Sequence, residues 1–307
     1  MDYQRQFRRA ATDRGIPDGE VDRFAEFLRF AIWTGAHYDD GVPAGQRGGL
    51  PRLPVGMEWP SGEYGPLPFV ASIDCAALPR VDGLALPADG SLLFFLHHED
   101  AYEEYSVAGE QKHARVVHVP AGTDTVIAEE PEHAEIVFNN MTLDFVAPRR
   151  ELRAVVAAEL PEWLGDGDDV ESTRDGDQAH LARDLPHLAE LVALADELWP
   201  DRRDPEISLG GHSWVIGELA TDVMYTTPET RIAEEAIAAR EKAGEVSIPP
   251  GESALWLERE TVRVMREWVP LMQFYPEDVY IGRFIIRHED LAAGRFDRAL
   301  SYTAFTE

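Results

Sequence analysis

The chain has 307 residues, 44% of them hydrophobic, enough to bury a large core and too many for a disordered protein. Its 57 acidic and 28 basic residues leave a formal net charge of −29, a field that repels phosphate backbones and anionic lipid and so argues against nucleic-acid and membrane partners. Cys75 is the only cysteine, which excludes an internal disulfide and any multi-cysteine metal site.

The first residues, Met1 to Arg9, carry charges with no apolar run behind them, which predicts no secretory leader, and no stretch is apolar enough to span a bilayer. A cytoplasmic protein is the expectation. A first helix is expected around Tyr3 to Arg14, with Tyr3, Phe7 and Ala10 on one side. A second follows from Val21, Phe24, Ala25, Leu28, Ala31 and Ile32 at three- and four-residue steps, with Gly35 as its C-terminal cap. Residues 1–38 thus read as an N-terminal helical segment.

From Gly41 to Pro68 prolines and glycines dominate, but Leu50, Leu53, Val55, Met57, Trp59 and Leu67 need burial. The pattern predicts a long ordered loop packed on a sheet. Strands are expected at Leu92–His97, Ala114–Val119, Glu135–Phe138, Thr142–Val146 and Leu152–Ala157, separated by turns and not by helices, which favours antiparallel pairing. Glu162 to Asp177 reads as an acidic, solvated loop; within it Asp166 to Glu171 resembles a calcium loop in composition but fits no EF-hand frame. A helix is expected from an Asp184 N-cap to Trp199-Pro200, and another from Pro228 to Ala243, stopped by Gly244. Glu252 to Trp268 favours helix, with strand open at Trp256-Leu257 and Val262 to Val264.

Two stretches read as variations on one theme. Gly48-Gly49, an apolar strand at Phe69-Val70 and a strand ending in His98-Glu99-Asp100 are matched by Gly210-Gly211, Val269 to Gln273 and a strand ending in His288-Glu289-Asp290. The expected fold is therefore α+β: a duplicated, mainly antiparallel β core with two pseudo-symmetric halves and peripheral helices. The halves would be about 39–160 and 181–307, joined through the acidic loop at about 161–180.

The chemistry is thinner. If a pseudo-twofold brought the two strand ends together, His98, Asp100, His288 and Asp290 would form a two-His, two-carboxylate set fit for a divalent ion and a metal-assisted hydrolase at the seam. The competing role of both aspartates is to start the turns that follow them. Gly211-His212-Ser213 approaches a nucleophile elbow but lacks its final glycine, and Val215 to Gly217 resembles a strand where an elbow needs a helix. Gly48, Gly49, Gly210 and Gly211 are expected at tight turns. Cys75 is expected to be a buried structural thiol. No cofactor motif stands out.

Gly48-Gly49-Leu50-Pro51, Leu53-Pro54, Gly56, Trp59-Pro60, Gly65 to Phe69, Ile73-Asp74 and Gly90 to Phe95 resemble the YwqG-like family, catalogued as a domain of unknown function. In the second half Gly210-Gly211, Leu271-Met272-Gln273, Asp290-Leu291 and Phe296 continue the likeness, from about residue 40 to the end. Ser72 stands where that family usually has glutamine. The resemblance implies an α+β fold with a duplicated β core, supplies no activity, and suggests an immunity-like role. The charge and the missing catalytic motifs lead to a non-catalytic, acidic interaction module for a basic protein partner, with Trp59 and Gln273 as candidate binding residues and the hydrolase as the alternative.

Overall fold

The computed structural model of the chain describes residues 2–104, 106–138, 141–161, 164, 181, 183–200, 202–214, 227–275 and 280–305. The Asp166–Glu171 segment and the strand-like Val215–Gly217 lie outside the described residues, as does all of the acidic loop except Leu164.

The chain begins with α1 (Tyr3–Asp13), started by the Asp2 carboxylate accepting the Arg5 amide at 2.8 Å, and it buries Phe7 and Ala11. The second helix, α2 (Asp18–Ala25), is shorter than its periodicity suggested. Phe30, Ala31 and Ile32 belong instead to β1 (Arg29–Gly35), which pairs with a strand on each side, and Gly35 is its last residue and not a helix cap. A strand covered on both faces reads as a continuous apolar run, and a short run also satisfies three- and four-residue spacing.

The Gly41–Pro68 segment is not all loop. It holds β2 (Val42–Arg47) and β3 (Arg52–Pro54). Pro43 is tolerated because a bulge falls between Leu152 and Arg153 of the partner strand, where the hydrogen-bond ladder is interrupted. The remaining strands of the first part are β4 (Phe69–Asp74), β5 (Ser91–Leu96), β6 (Ala114–Val119), β7 (Thr125–Ile127), β8 (Ile136–Phe138), β9 (Met141–Leu143) and β10 (Arg150–Glu159). Two short helices, α3 (His98–Tyr102) and α4 (Val107–Glu110), lie between β5 and β6.

Later elements are α5 (Leu188–Leu198), β11 (Ile207–Gly210), α6 (Pro228–Lys242), α7 (Ser253–Glu267), β12 (Trp268–Phe274), β13 (Tyr280–Arg287), α8 (His288–Ala292) and β14 (Leu300–Phe305). The start of α5 falls at Leu188 and not after Asp184, because Pro186 disfavours helical geometry at the residue before it. The Glu252–Trp268 ambiguity resolves as helix through Glu267, followed at once by strand.

Ten strands form one sheet in the order β14-β13-β12-β11-β1-β10-β2-β4-β5-β6, and every neighbouring pair is antiparallel. The sheet curls almost into a barrel: Phe94 of β5 meets Phe284 of β13 with ring centroids 5.3 Å apart, although seven places separate those strands in the order. Leu92, Phe94 and Leu96 enter the main core while Leu93 and Phe95 face a second cluster with Leu53, Leu67 and Phe69, the alternation a strand imposes. Closure is completed by side chains at the β14 edge. Glu110 Oε2 accepts the Thr303 amide at 2.8 Å, and Gln111 Oε1 accepts the Ser301 amide at 3.3 Å. Among the described residues no helix is long and apolar enough to cross a membrane.

Candidate functional site

The most elaborate polar arrangement surrounds the turn after β11. Gly210 and Gly211 have φ of +75° and +73°, which reverses the chain immediately after a fully buried strand. A Cβ on Gly211 would stand 2.0 Å from Glu159 Oε2, so glycine is required there by contact as well as by conformation. The turn delivers His212, Ser213 and Trp214. Gln273, fully buried on β12, clamps this loop: its Oε1 accepts the Trp214 amide at 2.8 Å and its Nε2 donates to the His212 carbonyl at 2.9 Å.

Glu159, the last residue of β10, has both carboxylate oxygens engaged. Trp33 Nε1 donates to one at 2.5 Å and the His212 amide to the other at 2.7 Å. Burial nevertheless outweighs these bonds and pushes its pKa up to about 7. His212 donates from Nε2 to the Phe27 carbonyl at 2.8 Å, which leaves Nδ1 as the acceptor nitrogen, and burial pushes its pKa down to about 4. Arg29 donates to the carbonyls of Gly211 and Met265, both at 3.3 Å, and its pKa is lowered by burial.

Glu229 comes from the first turn of α6, whose N-cap Thr227 accepts the Thr230 amide. It is 2% exposed. Ser213 Oγ donates to its Oε1 at 2.6 Å, and among the described residues its Oε2 has no hydrogen-bond partner. A buried carboxylate oxygen without a donor is a costly group that a bound donor would relieve. Behind the loop, Arg283 donates to the Trp214 carbonyl at 2.8 Å from a side chain 1% exposed.

Glu159, His212, Ser213 and Glu229 line a cavity of about 650 Å³ together with Trp214, Tyr275, Thr261 and Met265. Trp214 and Tyr275 stack with centroids 5.2 Å apart and planes 22° apart. Carboxylates, an acceptor imidazole and aromatic faces suit a positively charged donor. The Ser213 hydroxyl donates to Glu229 Oε1 and not to an imidazole, which is not the Ser–His pairing of a hydrolase nucleophile.

The four residues proposed as a metal set are not brought together. The His98 ring packs 5.2 Å from that of Tyr280, at the start of β13, whereas His288 follows the end of the same strand and is bonded to the Gly83 backbone. Eight strand residues separate those ends by roughly 20 Å. Asp290 is bound by Arg295 Nε at 2.6 Å. Asp100 lines a separate cavity of about 340 Å³ with His97 and His113. There the Asp100 amide donates to His97 Nδ1 at 3.3 Å, and His113 Nε2 lies 3.3 Å from Glu104. Among the described residues no group of three or more His, Cys, Asp or Glu is placed to hold a metal ion.

Trp59 is directed inward: its Nε1 donates to the Leu67 carbonyl at 2.8 Å and its ring meets Phe95 and Phe145, both at 5.9 Å. Gly48 and Gly49 also have positive φ, +62° and +67°. Cys75 is buried, and burial pushes its thiol up to about 11. Glu159 and Glu229 escaped the sequence reading. One ends an Ala- and Val-rich strand, a weak signal for a buried acid; the other looks like any acid in a helix's first turn.

A family model described as a domain of unknown function (DUF1963) matches residues 46–303. The match includes Glu159, the Gly210–Trp214 loop, Glu229 and Gln273, while β1, between β10 and β11, precedes it. No curated protein matches the chain.

Proposed function

The chain belongs to the DUF1963 family, whose description assigns no activity, and from that premise we propose that it is a non-catalytic binding module that takes a cationic side chain of a basic protein partner into the Glu159–Glu229 cavity. The observation carrying this reading is the buried Oε2 of Glu229, without a hydrogen-bond partner among the described residues, in a wall that also holds Glu159, Asp204, Trp214 and Tyr275. The net charge of −29 adds attraction for such a partner at close approach, most at low ionic strength. The Gly-Gly turn, Gln273 and Arg283 position the loop and are not contact groups for the partner.

An internal duplication is part of the same proposal. It is supported by the strand order, since β2, β4, β5 and β6 run outward on one side of β1 and β10 as β11, β12, β13 and β14 do on the other. The YwqG-like reading rests on Gly48 to Phe69 and Leu271 to Gln273, which fall inside the matched span.

Calorimetric titration with an arginine-containing peptide of otherwise neutral sequence, against the same peptide carrying glutamine, tests the reading. Binding of the cationic peptide alone, weakened by salt and lost in Glu229→Gln, is expected. Equal binding of both peptides, or full binding by a folded Glu229→Gln variant, overturns it.

A further inference from the structure

A third cavity, of about 600 Å³, shares no wall residue with the Glu159–Glu229 cavity among the described residues. It lies where the two edges of the curled sheet approach, between Ala114–Val116 of β6 and the Phe296–Leu300 segment that leads into β14. Its chemistry is of the opposite sign. Arg115, Arg287 and Arg298 face it, with Asp290 and Asp297 as its carboxylates.

The ion pairs around this cavity leave positive charge over. Asp290 is taken by Arg295 at 2.6 Å, and Asp297 lies 3.7 Å from Arg298. Arg287 shares Glu267 with Arg263, at 2.9 and 2.6 Å; Arg263 in turn shares Glu260 with Arg240, at 2.5 and 3.9 Å. Arg115 donates to the backbone carbonyls of Gln111 and Ala114, which carry no charge. Among the described residues this network sets six arginines against four carboxylates. Among the described residues Arg115 therefore has no carboxylate partner and Arg287 has only a shared one, in a chain whose net charge is −29. The distant acidic surface does not cancel their charge, because exposed charges are screened beyond about 8 Å at physiological salt.

A second observation points the same way. Trp268 is 6% exposed, forms part of the wall, and has a buried Nε1–H with no acceptor among the described residues. The Arg287 guanidinium stands 4.9 Å from its ring centroid, which fixes that arginine by cation–π contact. Phe284, Phe296, Val116 and Leu300 complete an apolar side. An arginine without a carboxylate, a second that shares one, a donor in want of an acceptor and an apolar wall together suit an anion with an apolar body.

We propose that this cavity is a binding site for a small organic phosphate monoester, its dianion held by Arg115 and Arg287 and its organic body against Phe284 and Phe296. Guanidinium groups match phosphate oxygens in pairs, and a monoester carries close to two negative charges near neutral pH.

Phenyl phosphate is the probe, followed by calorimetry and by the indole Nε1–H resonances of the ¹⁵N-labelled chain. Saturable binding with a shift of the Trp268 resonance is expected, weakened about tenfold or more in Arg115→Gln and in Arg287→Gln. Arg115→Gln is the decisive variant, since Arg287 also packs on Trp268 and its loss could disturb the fold. Absence of saturable binding at millimolar probe, or affinity unchanged in Arg115→Gln, overturns the site. Equal affinity for inorganic phosphate overturns the organic-monoester assignment.

Discussion

The Glu110 carboxylate accepts the Thr303 amide at 2.8 Å across 193 residues of sequence, so that a side chain stands where the next strand of the sheet would be. Glu110 is 2% exposed, and burial raises its pKa well above the ordinary carboxyl value. An unprotected sheet edge invites pairing with another chain, and this contact removes part of the β14 edge from that risk.

Glu110→Ala is therefore expected to destabilise the protein by about 1–3 kcal/mol, the cost of an orphaned buried amide. Glu110→Gln keeps an acceptor for Thr303 and is expected to lose much less. Urea unfolding of the three proteins checks this, with light scattering as a readout of edge association.

Gly211 and Gly244 make a controlled pair, since both have a φ of +73°. A Cβ at Gly244 meets nothing within 4 Å, whereas one at Gly211 stands 2.0 Å from Glu159 Oε2. Gly244→Ala should cost about 1 kcal/mol, the backbone term alone. Gly211→Ala should cost at least about twice that and abolish binding of the arginine peptide by displacing Glu159. Equal losses in the two variants would exclude the steric account.

Glu159 makes stability fall as pH rises. Its folded pKa, about 7, lies above the ordinary value of 4.5, so the folded state holds the extra proton between those limits. Its contribution is fully present below about pH 4.5 and is lost by pH 7, at most about 3 kcal/mol. Glu159→Gln should remove this downward slope when chemical denaturation is followed from acid to neutral pH. A variant with the same slope as the parent would show that the carboxyl is not protonated in that range.

His98 acts in the opposite direction. Burial against Tyr280 pushes its pKa down to about 4, so its contribution is present above the ordinary value near 6.5 and is lost as pH falls toward 4. His98→Phe keeps a ring beside Tyr280 and removes the titration. It should shift the midpoint of acid unfolding to lower pH, and an unchanged midpoint would rule this out.

Local pattern decided a good part of this molecule. β5 and β6 are visible in runs such as Leu92 to Leu96 and Ala114 to Val119, because strand propensity and flanking turns agree there. The first turns of the helices are likewise local, as in Thr227-Pro228, where the hydroxyl and the fixed φ need no distant partner. The charge of −29 and the single cysteine are properties of composition alone.

Tertiary structure decided the rest, for reasons of distance along the chain. Arg29 to Gly35 became a central strand because β10 and β11, supplied more than a hundred residues later, cover both its edges. The two His-Glu-Asp segments look like partners in sequence, yet β13 holds their histidines at its opposite ends. Glu159 and Glu229 look like ordinary acids until the Gly210–Trp214 loop brings Trp33, Ser213 and a shared cavity to them. A residue's type states which bonds it can make; only the packed chain states which of them are left open, and the open ones are where a partner can bind.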